Sequence, residues 1–123
     1  MAHILIIDDD ASVRQMTRDM LHQEGHKVTA VTDGEKGLAY YREHLPDLVI
    51  TDLFMPKVDG VEVIRELQAD FPQAKIIAMT ARTEEEGYDF LRVTEALGAG
   101  YTLKKPFSSN GLREAVETVL KAD

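Results

Sequence analysis

Residues 3–10 read His3-Ile4-Leu5-Ile6-Ile7-Asp8-Asp9-Asp10. An unbroken aliphatic run of this length is what a strand buried on both faces requires. Such strands belong to parallel sheets covered by helices on either side. Three acids then end the run. Beyond them Val13, Met16, Thr17, Met20 and Leu21 recur at helical spacing as far as Gly25. That spacing predicts an amphipathic helix with a glycine stop.

The same unit returns along the chain. Lys27–Val31 reads as a second strand, and Asp33 opens a helix carrying Leu38, Tyr41 and Leu45 up to Pro46. A third strand is expected over Asp47–Thr51. The stretch Asp52 to Gly60 contains Pro56 and Gly60 and reads as a loop. Val61, Ile64, Leu67 and Phe71 mark the next helix, and Lys75–Met79 a fourth strand. Thr83 with Glu86 forms a capping-box pattern that opens a further helix, ended by Gly98 and Gly100. Tyr101–Lys104 is a short last strand. Leu112, Ala115, Val116, Val119 and Leu120 give the last helical stripe. Strand and helix thus alternate five times. Helical connections imply parallel strands and right-handed crossovers, hence an α/β fold with a five-stranded parallel sheet.

Length and composition bound the function. The chain has 123 residues, which predicts one domain, 1–123, with no output domain. Apolar residues make up 44%, enough for a core, and 29% are charged. Apolar runs are too short to span a bilayer, and no secretory signal opens the sequence. With no cysteine, disulfides and thiolate chemistry are excluded. A cytoplasmic location is expected. Twenty-two acidic residues against 14 basic ones leave a net charge of -8, which opposes binding to nucleic acid.

In an open parallel sheet, ligands bind beyond the carboxyl ends of the strands. Those ends carry Asp8-Asp9-Asp10, Thr32-Asp33, Asp52, Thr80 and Lys105-Pro106. Two carboxylates held about 5 Å apart repel by roughly 3 kcal/mol at an effective dielectric of 20. Converging acids therefore call for a cation. Mg²⁺ (or Mn²⁺) suits them, since it takes one or two carboxylates plus water and phosphate oxygens. Lys105 would supply a second positive charge.

The order Ile4-Leu5-Ile6-Ile7-Asp8-Asp9, then Asp52-Leu53-Phe54-Met55-Pro56-Lys57-Val58-Asp59-Gly60, then Thr80-Ala81, then Gly98-Ala99 and Lys105-Pro106-Phe107 resembles the receiver domain of bacterial two-component response regulators (the CheY-like superfamily). The match runs over essentially the whole chain. The resemblance implies a doubly wound, flavodoxin-like (βα)5 fold with strand order 2-1-3-4-5. It implies a phosphoprotein of a phosphorelay, in which Asp52 accepts a phosphoryl group and forms an aspartyl phosphate. By the same resemblance Asp9 matches the direct magnesium ligand, Asp8 a ligand acting through water, and the Phe54 backbone carbonyl a third ligand. Thr80 and Lys105 match the groups that bind the phosphoryl oxygens. Phe54 and Arg82 flank the path of an attacking water and would tune the lifetime of the phosphate. Thr102 holds the place of the switch aromatic, and Pro106 is a cis candidate. The implied partners are a sensor histidine kinase or histidine phosphotransfer protein upstream and a protein target downstream. Phosphoryl transfer asks mainly for positioning and charge neutralisation, so a sparse set suffices. The chain is then a signalling switch, not an enzyme acting on a separate substrate.

Other residues have simpler readings. Asp10 is expected as a helix N-cap and Asp59 as a turn or cap residue. His3, His22, His26 and His44 read as structural or exposed.

Three other readings compete. An aliphatic strand followed by Asp8-x-Asp10 also looks like the opening of a small haloacid-dehalogenase-type phosphohydrolase with Asp8 as nucleophile. That reading leaves the Asp52–Gly60 loop unexplained. A nucleotide- or flavin-binding module would need a glycine-rich phosphate loop, which is missing. A degenerate receiver working only as a scaffold is opposed by the presence of all five matched residues. The sequence also departs from the family pattern in two ways. The 25 positions from Thr80 to Lys105 exceed the family's usual spacing, and Thr102 replaces an aromatic, with Tyr101 beside it.

Overall fold

A computed structural model describes residues 1–53, 60–80 and 98–122. Its strands are β1 (His3–Ile7), β2 (Lys27–Val31), β3 (Leu48–Asp52), β4 (Ile76–Thr80) and β5 (Tyr101–Lys104). Its described helices are α1 (Ala11–Gln23), α2 (Gly34–His44), α3 (Gly60–Asp70) and α4 (Ser109–Lys121). The strands form one parallel sheet in the order β2-β1-β3-β4-β5. This is the expected doubly wound topology. The helix expected from Thr83, with its capping box, lies outside the described residues.

Alternate side chains of each strand enter opposite layers, as the pleat requires. Ile4 and Ile6 join Ile50, Ile77 and Met79 under α1 and α4. Leu5 and Ile7 join Val49, Ile76 and Ala78 under α2 and α3. All four aliphatic residues of β1 are fully buried. Each such side chain contributes about 1.5–3 kcal/mol by leaving water. The layers fix the register of the central strands, and with it the level at which every strand ends.

Local chemistry sets the helix ends. The Asp10 carboxylate accepts the backbone N–H groups of Ser12 and Val13 and caps α1, as expected. Asp33 caps α2 through the Lys36 N–H, and Ser108 caps α4 through the Gly111 N–H. Gly25, at φ 86°, takes the left-handed turn that carries the chain from α1 into β2.

Three expectations need correction. Leu45 is not on the buried stripe of α2: it is the left-handed C-cap, at φ 48°, and is exposed. Met16 is likewise exposed, so the buried face of α1 rests on Thr17 and Leu21. The third and fourth strands each sit one residue later than their apolar runs suggest. The ladder is made by backbone, so Asp52 opposite Met79 and Thr80 opposite Lys104 extend it regardless of polarity. Asp47 instead accepts the His3 N–H through its side chain at 2.8 Å.

Candidate functional site

Strand pairing brings the ends of β1, β3, β4 and β5 to one edge of the sheet. Asp8 follows β1 and is fully buried, while Asp52 closes β3 with 7% exposure. Asp9 is exposed. Carboxylate oxygens of Asp8, Asp9 and Asp52 all lie within 4.8 Å of one another. Lys105, just past β5, reaches into this group. Its Nζ donates to Asp8 Oδ2 at 2.9 Å and stands 3.3 Å from Asp52 Oδ2. Burial works against the charge on this ammonium. The Asp8 hydrogen bond and the negative charges of Asp52 and Asp8 outweigh burial and raise the pKa above the ordinary lysine value.

The remaining groups hold this arrangement in place. Asp8 Oδ1 accepts the Asp10 N–H at 2.9 Å, and the Asp8 N–H donates to the Val31 carbonyl at 3.2 Å. Thr80 is buried at the end of β4, and its carbonyl accepts the Lys105 N–H at 2.8 Å. The Lys105–Pro106 peptide bond is cis. Thr102 is half-buried on β5, opposite Ala78. Gly60, the first residue of α3, packs directly on the Asp52 carbonyl. A Cβ there would collide with that oxygen and stand 2.6 Å from Leu53 Cα. Only glycine allows so close an approach of two backbones.

Three carboxylates converge here, and Lys105 pairs with two of them, Asp8 and Asp52. The set fits a small hard divalent cation: the donors are all oxygens, and Asp9 opens the group to solvent. Among the described residues this is the only cluster of acidic, histidine or cysteine side chains suited to a metal.

A family model for the response regulator receiver domain matches residues 4–117. This chain belongs to the response-regulator receiver family. Receiver domains are the phosphoacceptor signalling units of two-component systems, and they act as switches. The chemotaxis protein CheY of Bacillus subtilis is 36% identical to this receiver over 124 residues, covering 98% of the chain and 99% of CheY. The alkaline phosphatase synthesis transcriptional regulatory protein PhoP of the same organism is 33% identical over 118 residues. The receiver spans 48% of the length of PhoP, so it matches only part of that relative. A response regulator receiver domain protein from Clostridium thermocellum superposes with a TM-score of 0.89 at 28% identity, covering 98% of this chain and 94% of that one.

The structure thus unites Asp8, Asp9, Asp52 and Lys105, with Thr80 on the adjacent strand end. Phe54, Arg82 and Asp59 lie outside the described residues. The histidines stand apart from the acidic group. His3 Nε2 pairs with the Tyr40 hydroxyl at 2.8 Å, and His44 stacks on Tyr40 with ring centroids 4.1 Å apart. His26 Nδ1 accepts the Ala2 N–H, and His22 is exposed. Sequence reasoning missed Arg14, whose guanidinium Nη1 donates to the Asp8 carbonyl at 2.8 Å. Its one signal was its place four residues after the Asp10 cap, on the helix face that turns back to the strand end. No described helix is long and apolar enough to cross a membrane.

Proposed function

We propose that this receiver accepts a phosphoryl group on Asp52 from a phosphohistidine of a sensor histidine kinase or histidine phosphotransfer protein. The observation that carries the reading is the shared cation. Lys105 reaches both Asp8 and Asp52, so the strand-end acceptor sits beside a fixed positive charge and two further carboxylates. In the transfer an Asp52 oxygen forms the new bond to phosphorus as the phosphorus–nitrogen bond breaks. The leaving imidazole nitrogen keeps the bonding pair and takes a proton from solvent. Lys105 and the Thr80 hydroxyl then bind the phosphoryl oxygens. Asp9, Asp8, Asp52 and the Phe54 carbonyl would hold Mg²⁺ or Mn²⁺. Such a cation, when bound, neutralises charge that builds on the transferring group.

On this reading residues 1–123 act as one cytoplasmic receiver unit. It promotes only its own phosphorylation and dephosphorylation. Its output is contact with another protein, and its net charge of -8 speaks against direct contact with nucleic acid. Phe54 and Arg82 set the lifetime of the phosphate. Thr102 is too small for an aromatic switch, so the signal runs through residues 82–97. The hydrolase reading is weaker, because both Asp8 oxygens are already engaged, one by Lys105 and one by the Asp10 N–H.

The test is incubation with Mg²⁺ and a small acyl phosphate, followed by mass-spectrometric mapping. Modification of Asp52, lost in Asp52→Asn, is the expected result. Modification that persists in Asp52→Asn and vanishes in Asp8→Asn overturns it in favour of the hydrolase.

A further inference from the structure

Asp9 is the exposed member of the acidic trio, and no hydrogen bond or ion pair holds its carboxylate among the described residues. Its place is therefore set by the main chain on either side. One residue grips both sides. The Arg14 N–H donates to the Asp10 carbonyl at 3.0 Å, an ordinary helical bond. The Arg14 guanidinium donates to the Asp8 carbonyl at 2.8 Å, a bond only this side chain supplies. The Asp8 carbonyl and the Asp9 N–H belong to a single planar peptide unit. Fixing that oxygen fixes the plane from which the Asp9 side chain departs.

We propose that Arg14 is a positioning residue for the divalent-cation site, acting on Asp9 through the Asp8–Asp9 peptide. The proposal rests on the reading of Asp9 as a metal ligand. Groups that orient a ligand from behind it commonly change metal affinity by about 10–100-fold when removed. The sign of the effect separates this role from plain electrostatics. The guanidinium is a positive charge on the Asp8 carbonyl, next to the acidic group, so a role through charge alone predicts tighter cation binding once Arg14 is removed. Positioning predicts weaker binding, because Asp9 must then be ordered as the cation arrives.

The experiment is calorimetric titration of the full chain with Mg²⁺ in wild type, Arg14→Gln and Asp9→Asn, with thermal unfolding of each. Arg14→Gln is expected to bind Mg²⁺ about tenfold more weakly although it is more negative. Unchanged or tighter binding, in the presence of a clear loss in Asp9→Asn, overturns the role of Arg14 and leaves the cation site standing. No loss in Asp9→Asn overturns the cation site, and the role of Arg14 falls with it. Arg14→Lys, which keeps the charge, covers the case in which Arg14→Gln fails to fold. Amide exchange at Asp10, whose N–H bonds Asp8 Oδ1, should speed up severalfold in metal-free Arg14→Lys while amides of α4 keep their protection. An unchanged Asp10 amide refutes the proposal.

Discussion

Lys105 Nζ donates to Asp8 Oδ2 at 2.9 Å although Asp8 has no exposed surface. The same ammonium lies 3.3 Å from Asp52, so one cation ties the end of β5 to the ends of β1 and β3. Removing it takes away the ammonium that pairs with both the Asp8 and the Asp52 carboxylate. Breaking such a pair is costly because the stranded charge stays buried. Lys105→Met should destabilise the metal-free protein by about 2 kcal/mol, less than a fully buried pair because the lysine side chain keeps 16% exposure. Mg²⁺ should recover part of the loss. Urea unfolding with and without Mg²⁺ measures both effects, and a deficit indifferent to Mg²⁺ would count against the site.

Gly60 offers a second test, because its Cα hydrogen faces the backbone that presents Asp52. An added methyl meets the Asp52 carbonyl and Leu53 Cα, and backbone cannot swing aside as a side chain can. Gly60→Ala should cost about 1–3 kcal/mol, in the range of overpacked cores. It should also slow phosphate incorporation at Asp52 while the remaining protein stays folded. Wild-type stability together with a wild-type rate would refute this.

Thr17 is a buried position whose chemistry does not suit its place. It has no exposure, and its hydroxyl has no hydrogen-bond partner among the described residues. Valine has nearly the same shape without the stranded hydroxyl. Thr17→Val should raise stability by about 1 kcal/mol. The comparison is made by denaturant unfolding, where an equal or lower midpoint would contradict it.

His3 predicts a pH effect at the opposite edge of the sheet from the acidic site. Its pKa lies below the ordinary 6.5, first because the ring is partly buried, then because of the Lys27 charge. Asp47 pulls the other way, and His44 adds to the lowering. The folded protein thus binds the proton less readily than the unfolded chain does. Stability is complete above about pH 6.5 and falls as pH drops from there toward the lowered value. Replacing His3 by Gln should flatten that slope. An NMR titration should also find the His3 midpoint below the ordinary 6.5, and His44→Gln should move it upward. A His3 midpoint at or above 6.5 would exclude this account.

Much of this protein was legible in its residues alone. The run Ile4–Ile7 demanded a strand covered on both faces, and Asp10 and Asp33 announced their caps. Strand and helix alternated plainly enough to require a parallel sheet, because apolar periodicity is local and period 2 differs from period 3.6. Periodicity misled where a residue at the right spacing stood at an element's end, as Leu45 did. The acids at the strand ends were visible as letters. Their convergence was not, since Asp8, Asp52 and Lys105 lie far apart in the chain. Only the register β1-β3-β4-β5 brings them to one level. Arg14 and Gly60 show the same limit. An arginine one turn into a helix and a glycine at a helix start are ordinary in sequence. Their meaning lies in which backbone oxygen they face, and packing between elements decides that.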